Sequence, residues 1–283
     1  MQTYLKTRKL STCKAGGGKR LYLSYMLRRI WIGICMLLLM VSACAQRSDV
    51  ERKKLALGDT DVWVELSYYG QPRAITAINV HDDECTSVEA AREWLSEKGG
   101  LLIRIENGGE RLLKFTIGRQ QYKVDPNRIY SKEGAAKSLD RFGEVSGEAV
   151  EAAYRFGRDL LALVPGQTKC LVALHNNTEG GLSVHTYRQG GDGEMDTKEV
   201  IHMPEQDPDD FLLTTDSMMY QRLAAAGYNA VWQHNEEVRE DGSLSVYYGR
   251  RGEMVYVNCE TEHGHVEQCG KMLREIEKAL KEN

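Results

Sequence analysis

Several features are missing from this 283-residue sequence. It has five prolines and no repetitive tract, which excludes collagen-like and low-complexity chains. No CxxC is present, so a cysteine-rich zinc knuckle is not expected. No GxGxxG follows a candidate strand, and no phosphate-binding Gly-Lys-Ser/Thr occurs. Gly16-Gly17-Gly18-Lys19 continues into Arg20. Nucleotide cofactors therefore have no obvious cradle. Acidic residues are absent from positions 1–43, which carry eight basic ones. The remainder has 29 basic against 41 acidic residues, a net of −12 hidden inside the chain's formal −4. A domain that acidic is a poor nonspecific ligand for nucleic acid.

The basic front reads as an address. Residues 30–41, IWIGICMLLLMV, are too short to span a bilayer, which takes about 20 apolar residues. They suit the apolar region of a signal peptide behind Arg28 and Arg29. Met26 would open a compact signal as the true start. The segment closes on Val41-Ser42-Ala43-Cys44, which resembles the bacterial lipobox. That resemblance implies cleavage before Cys44, a lipid on Cys44, and a membrane-anchored lipoprotein in the bacterial cell envelope, facing the periplasm. An ordinary signal peptide cut nearby, or an uncleaved anchor, is the alternative. Residues 1–43 are thus set aside as a signal, and the polar stretch 44–60 reads as a tether.

Residues 61–283 read as one α/β domain, long enough to bury a core without disulfide staples. Val-, Ile- and Tyr-rich runs bounded by Gly, Asn or Asp predict strands at 62–67, 74–80, 101–105, 112–117, 170–174, 182–187, 229–232, 244–248 and 254–258. Helical spacing predicts helices at 87–98, 147–163, 217–226 and 265–281, the first capped by Thr86 or Ser87. Strands alternating with helices imply a mixed, mostly parallel sheet with helices on both faces. Cys85, Cys170, Cys259 and Cys269 permit three disulfide pairings, and nothing in the sequence chooses between them. Cys170 and Cys259 lie in apolar runs and read as small buried hydrophobes.

Three apolar strands end in groups that carry chemistry. AINVHDDECTSVEAA (77–91) runs into His81 and Glu84, three apart in a turn and able to face one metal. Asp82 or Asp83 could orient His81 as an acceptor, or both could be solvated. KCLVALHNNTEGG (169–181) ends in His175, a third candidate ligand. MVYVNCETEHGH (254–265) runs into Glu260, a candidate general base, with Glu262, His263 and His265 as rivals. In QYKVDPNRIYS (121–131), Asn127 and Arg128 can grip a carboxylate, Arg128 bidentately. Arg111 and Arg119 are candidates for polarising a scissile carbonyl. Taken singly, each of these residues is more often a surface or structural group.

The order HxxE, D-x-N-R, strand-end His, strand-end Glu resembles the zinc carboxypeptidase superfamily, including its succinylglutamate desuccinylase and aspartoacylase branch. The resemblance covers roughly residues 74–265 but rests on four short patches. It implies a zinc-carboxypeptidase-like fold and one zinc ion per chain on His81, Glu84 and His175. It also implies a carboxylate grip at Asn127 and Arg128, and Glu260 as the base. The family's carbonyl-polarising Arg has no clean match; Arg119 stands at nearly the right distance before Asn127, and Arg111 farther away. The expected activity is zinc-dependent amide hydrolysis, removing a C-terminal residue from a small peptide in the envelope. An N-acyl amino acid deacylase is the second reading. A non-catalytic binding lipoprotein that has kept the fold is the third. The expected substrate has a free carboxylate, nucleic acid is not a partner, and the membrane is reached through the lipid alone.

Overall fold

The computed structural model describes residues 48–71 and 74–281. The expected signal at 1–43 and Cys44 lie outside the described residues. Among the described residues, eleven strands and six α-helices follow in chain order. They are β1 (Ser48–Leu57), β2 (Thr60–Tyr69), β3 (Ile75–Asn79), α1 (Cys85–Lys98), β4 (Gly100–Glu106), β5 (Leu113–Ile117) and β6 (Gln120–Val124). Then come α2 (Lys132–Phe142), α3 (Gly147–Leu161), β7 (Cys170–Asn177), β8 (Thr197–Ile201), β9 (Phe211–Thr214), α4 (Ser217–Ala225), β10 (Ala230–Gln233), α5 (Leu244–Arg251), β11 (Val255–Glu262) and α6 (Val266–Lys281).

Nine strands form one mixed sheet in the order β1-β2-β4-β3-β7-β11-β9-β10-β8, and β5 and β6 form a separate hairpin. The centre, β4-β3-β7-β11, is parallel throughout. Every residue of β3 and β7 is buried. That is the expected state of parallel strands covered on both faces, and it explains their nearly unbroken apolar sequences.

Strand alternation divides the core in two. On β7, Leu171 and Ala173 face a layer containing Phe156 and Leu160 of α3, Leu139 of α2 and Tyr248 of α5. Cys170, Val172 and Leu174 face the other layer, with Trp94 and Leu95 of α1, Leu223 of α4 and Met272, Leu273 and Ile276 of α6. The period-two strand pattern and the i, i+3/i+4 helix stripes therefore meet as the sequence implies.

Four local expectations are corrected. Residues 48–57 of the expected tether are β1, paired with β2 over ten positions. This is an edge strand exposed on both faces, where it carries Asp49, Glu51, Arg52 and Lys54; such charge protects an edge from pairing with other chains and masks its alternation. The expected strand at 182–187 is instead a 3-10 turn, Val184–Tyr187. The β-prone run at 244–248 is helical: the Ser243 side chain accepts from Val246 N, and Gly252 closes α5 in the left-handed region (φ 63°). Finally, α1 begins at Cys85, so neither Thr86 nor Ser87 caps it. Its cap residue is Glu84, whose side chain makes no capping bond because the carboxylate is used elsewhere.

Candidate metal centre

Parallel β3, β7 and β11 deliver their carboxyl ends to one edge of the sheet, where open α/β sheets place their sites. His81 follows β3 after Val80. A turn bond from Glu84 N to His81 O (3.1 Å) folds the HxxE segment back, bringing both side chains together. His175 lies near the end of β7, and its register partner across the parallel ladder is Glu260 of β11. Register partners project to the same face. His175 and Glu260 are therefore neighbours by strand geometry alone.

The three candidate ligands converge. His81 Nδ1 lies 3.0 Å from Glu84 Oε1, and His175 Nδ1 lies 2.8 Å from Glu84 Oε2. The two Nδ1 atoms are 3.3 Å apart. All three residues are buried. His81 Nε2 meets Asp125 Oδ1 at 2.8 Å. The hydrogen bonds and charge of His81, with the Arg128 charge and the Asn127 N–H, overcome burial and hold Asp125 well below the usual carboxylate range. As an ionised acceptor it fixes the His81 proton on Nε2 and turns the Nδ1 lone pair inward. Two imidazole nitrogens and a carboxylate then share one point, and only a positive charge reconciles them. A proton can supply it: burial alone would lower the His81 pKa, yet Asp125 and Glu84 raise it to about 9. Glu84 moves the other way. Burial is outweighed by His175 and His81, and its pKa falls well below the ordinary value. A divalent cation satisfies the same donor set, and two imidazoles with one carboxylate suit zinc.

The centre opens into a cavity of about 400 Å³ whose wall also carries Glu260, Arg111, Asn127 and Arg128. Glu260 is buried, and Asn258 Nδ2 donates to its Oε1 at 3.0 Å. Burial pushes its pKa up, partly opposed by His175. Arg111 reaches in from the loop after β4 and pairs with Glu84 Oε1. Asn127 N donates to Asp125 Oδ1 (2.8 Å), and Asn127 Oδ1 accepts from Leu244 N at the start of α5 (3.2 Å). Arg128 donates to Asn127 O (2.8 Å), with Asp241 at 3.6 Å.

Other expected residues lie elsewhere. Arg119 is exposed in the turn between β5 and β6 and is not part of the cavity wall; the short hairpin turns it outward. Asp82 does not orient His81. Its carboxylate accepts from Asn107 N (2.7 Å), Gly109 N (2.8 Å) and Arg104 (2.5 Å), and so anchors the loop that presents Arg111. The orienting carboxylate is Asp125, which has no sequence signal beyond its place in D-x-N-R. Asp83 lines the cavity. Among the rivals of Glu260, His263 also lines it, whereas His265 binds Asp210 (2.9 Å) and Glu262 N donates to the same carboxylate (2.9 Å). Asp210 and His265 form a second acidic group with Asp207, already tied into loop hydrogen bonds. Tyr187 and Tyr256 also line the wall, and no sequence feature marks them as site residues.

No family model matches the chain, and no curated protein matches it in sequence. Among solved structures, it is similar to an aspartoacylase family protein from Mesorhizobium loti (17% identity over 84% of this chain and 68% of that one, TM-score 0.43). It is also similar to a metallo-carboxypeptidase from Burkholderia cenocepacia (11% identity, 86% and 67% coverage, TM-score 0.42). A third is a succinylglutamate desuccinylase/aspartoacylase from Rhodobacter sphaeroides (14% identity, 83% and 66% coverage, TM-score 0.41). At such TM-scores these likenesses carry no weight for the chemistry, which rests on the chain's own residues.

Proposed function

We propose that this chain is a zinc-dependent amide hydrolase of the carboxypeptidase type, acting on a small peptide with a free C-terminal carboxylate. One observation carries the reading. His81, Glu84 and His175 converge on a single point, with the Glu260 carboxylate beside His175 in the same cavity. Those three side chains would hold a zinc ion, which when bound would supply Lewis acidity toward a carbonyl oxygen and toward water. Glu260, buried and aimed by Asn258, takes a proton from the attacking water and returns it to the leaving amine. Its raised pKa suits both transfers. Arg128, with Asn127 fixing the loop beside it, receives the substrate carboxylate. Arg111 stands at the ligand set and donates to the oxygen on which charge develops.

A deacylase acting on N-acyl amino acids is the second reading. It is favoured by the cavity of about 400 Å³, which suits one amino acid with a short acyl group. A binding lipoprotein without turnover is the third. The test is metal analysis followed by a substrate panel. The expected result is one zinc per chain and hydrolysis of free-carboxylate peptides or N-acyl amino acids, with C-terminally amidated peptides spared. Glu260→Gln should keep the metal and lose turnover about 10²–10⁴-fold. A protein that takes up no metal under zinc loading ends the proposal. One that binds zinc and ligand without turnover leaves the binding lipoprotein.

The cellular setting is proposed on sequence grounds. Residues 1–43 act as an export signal, and Cys44 becomes the lipidated N-terminus. A lipid-bearing peptide beginning at Cys44 in membrane fractions is the expected finding; an unmodified Cys44 in the mature protein refutes it.

A further inference from the structure

Four cysteines lie within the described residues, all as free thiols, and three of them are buried. Cys259 lies on β11 and Cys269 on α6, and their Sγ atoms are 3.9 Å apart. Both are 0% exposed. Strand alternation produces the encounter. Glu260 faces the cavity, so Cys259 faces the opposite side of the sheet, where α6 packs. Cys269 opens the buried stripe that continues through Met272, Leu273 and Ile276. The two sulfurs are already in van der Waals contact. A disulfide needs about 2.05 Å, so the two sulfurs must close by about 2 Å.

We propose that Cys259 and Cys269 form a disulfide when the chain folds under oxidising conditions, stapling α6 to the strand that carries Glu260. The oxidant class is a small-molecule or protein disulfide. One cysteine thiolate attacks it, giving a mixed disulfide and releasing one thiol. The second cysteine thiolate then displaces the other thiol. The two protein thiols together give up one electron pair and two protons, and the external disulfide takes them up to become two thiols. The timing follows from burial. Both sulfurs are fully buried, so in the folded protein an external disulfide cannot reach either of them, and contact with Cys269 and burial also raise the Cys259 thiol well above its ordinary value. The bond therefore forms before α6 closes over β11. The closed loop holds Glu260 and the cavity-lining His263, while the bond itself stays on the far face of the sheet. This assignment is independent of the proposed hydrolase activity.

The experiment reduces and unfolds the full chain, refolds it in mixed oxidised and reduced glutathione, alkylates it in denaturant without reductant and digests it with trypsin. Arg251 and Lys271 bound a single peptide, 252–271, that contains both cysteines. The expected peptide is lighter by two hydrogens than its dithiol form and resists alkylation until reductant is added. Alkylation of both cysteines without reductant overturns the proposal. In parallel, the oxidised protein should melt roughly 5–10 °C above the reduced protein. Cys269→Ser should remove that redox dependence. Equal melting of oxidised and reduced wild type overturns the stapling role.

Discussion

Asp125→Asn is the most informative substitution at the centre. Asp125 Oδ1 accepts from His81 Nε2 and from Asn127 N, each at 2.8 Å, and Asp125 N donates to Ser138 Oγ at 2.9 Å. An asparagine keeps the shape and a carbonyl acceptor but removes the charge. Two opposing effects follow. Loss of a carboxylate behind a metal-ligating imidazole typically weakens metal binding about 10–100-fold, or about 1.4–2.7 kcal/mol. The same carboxylate, however, helps raise the His81 pKa to about 9, so at neutral pH the metal must displace a proton that Asp125 helps to hold. Removing Asp125 relieves that competition. The weakening should therefore be largest near pH 9, where the proton is already leaving, and smaller near pH 7. Zinc affinity measured by competition against a chelator, in wild type and Asp125→Asn at both pH values, reads this directly. Unchanged affinity at pH 9, or a greater loss at pH 7 than at pH 9, would refute the role assigned to Asp125.

Further outcomes follow from the same geometry. In metal-free protein the His81 pKa is raised from 6.5 to about 9, so its contribution to stability is fully present below pH 6.5 and is lost as pH rises through about 9. The change is roughly 3 kcal/mol. Urea midpoints in chelator should fall over that window, whereas the metal-loaded protein should not show the fall. Arg128→Ala should raise KM on the order of 10–100-fold for substrates with a free carboxylate and leave amidated analogues unaffected; equal effects on both would remove Arg128 from carboxylate binding. Gly242 sits at φ 76°, and a Cβ there would lie 2.4 Å from Arg128 O. Gly242→Ala should cost about 2–3 kcal/mol by chemical denaturation, and a neutral result would show that the 128–131 loop can move away.

The parts of the site legible in the sequence are those fixed by local geometry. A turn holds His81 and Glu84 at i and i+3, and apolar strand runs mark where His175 and Glu260 emerge. The pairing of His175 with Glu260 needed strand register, which the sequence does not state. Asp125 was invisible as the partner of His81 because 44 positions separate them and only the fold brings them together. Asp82 was misread for the converse reason. It adjoins His81 in sequence, but the turn points its carboxylate toward the Arg104 guanidinium and the backbone N–H groups of Asn107 and Gly109. In the fold, β9 is only four residues long, and the charged β1 shows too little alternation to be found. The edge strand is held by pairing with β2, not by its own hydrophobicity.

Charge gives the centre its internal logic. Glu84, Asp125 and Glu260 place three carboxylates around two imidazoles at the sheet edge, all but Asp125 buried. The cations nearest them, Arg111 and Arg128, are partly exposed at the rim. Concentrated negative charge in a low-dielectric interior is costly unless a positive charge joins it. Here a proton on His81 or a divalent ion can do so, and the two compete for the same lone pair. The general acidity of the domain is therefore not the source of substrate recognition. Within a chain of net −12 beyond residue 43, the proposed carboxylate ligand would be attracted only where a bound metal and the two rim arginines reversed the local sign. On the proposed reading, metal loading and substrate capture would be coupled: an ion that relieved the buried carboxylates would also make the cavity hospitable to an anionic ligand.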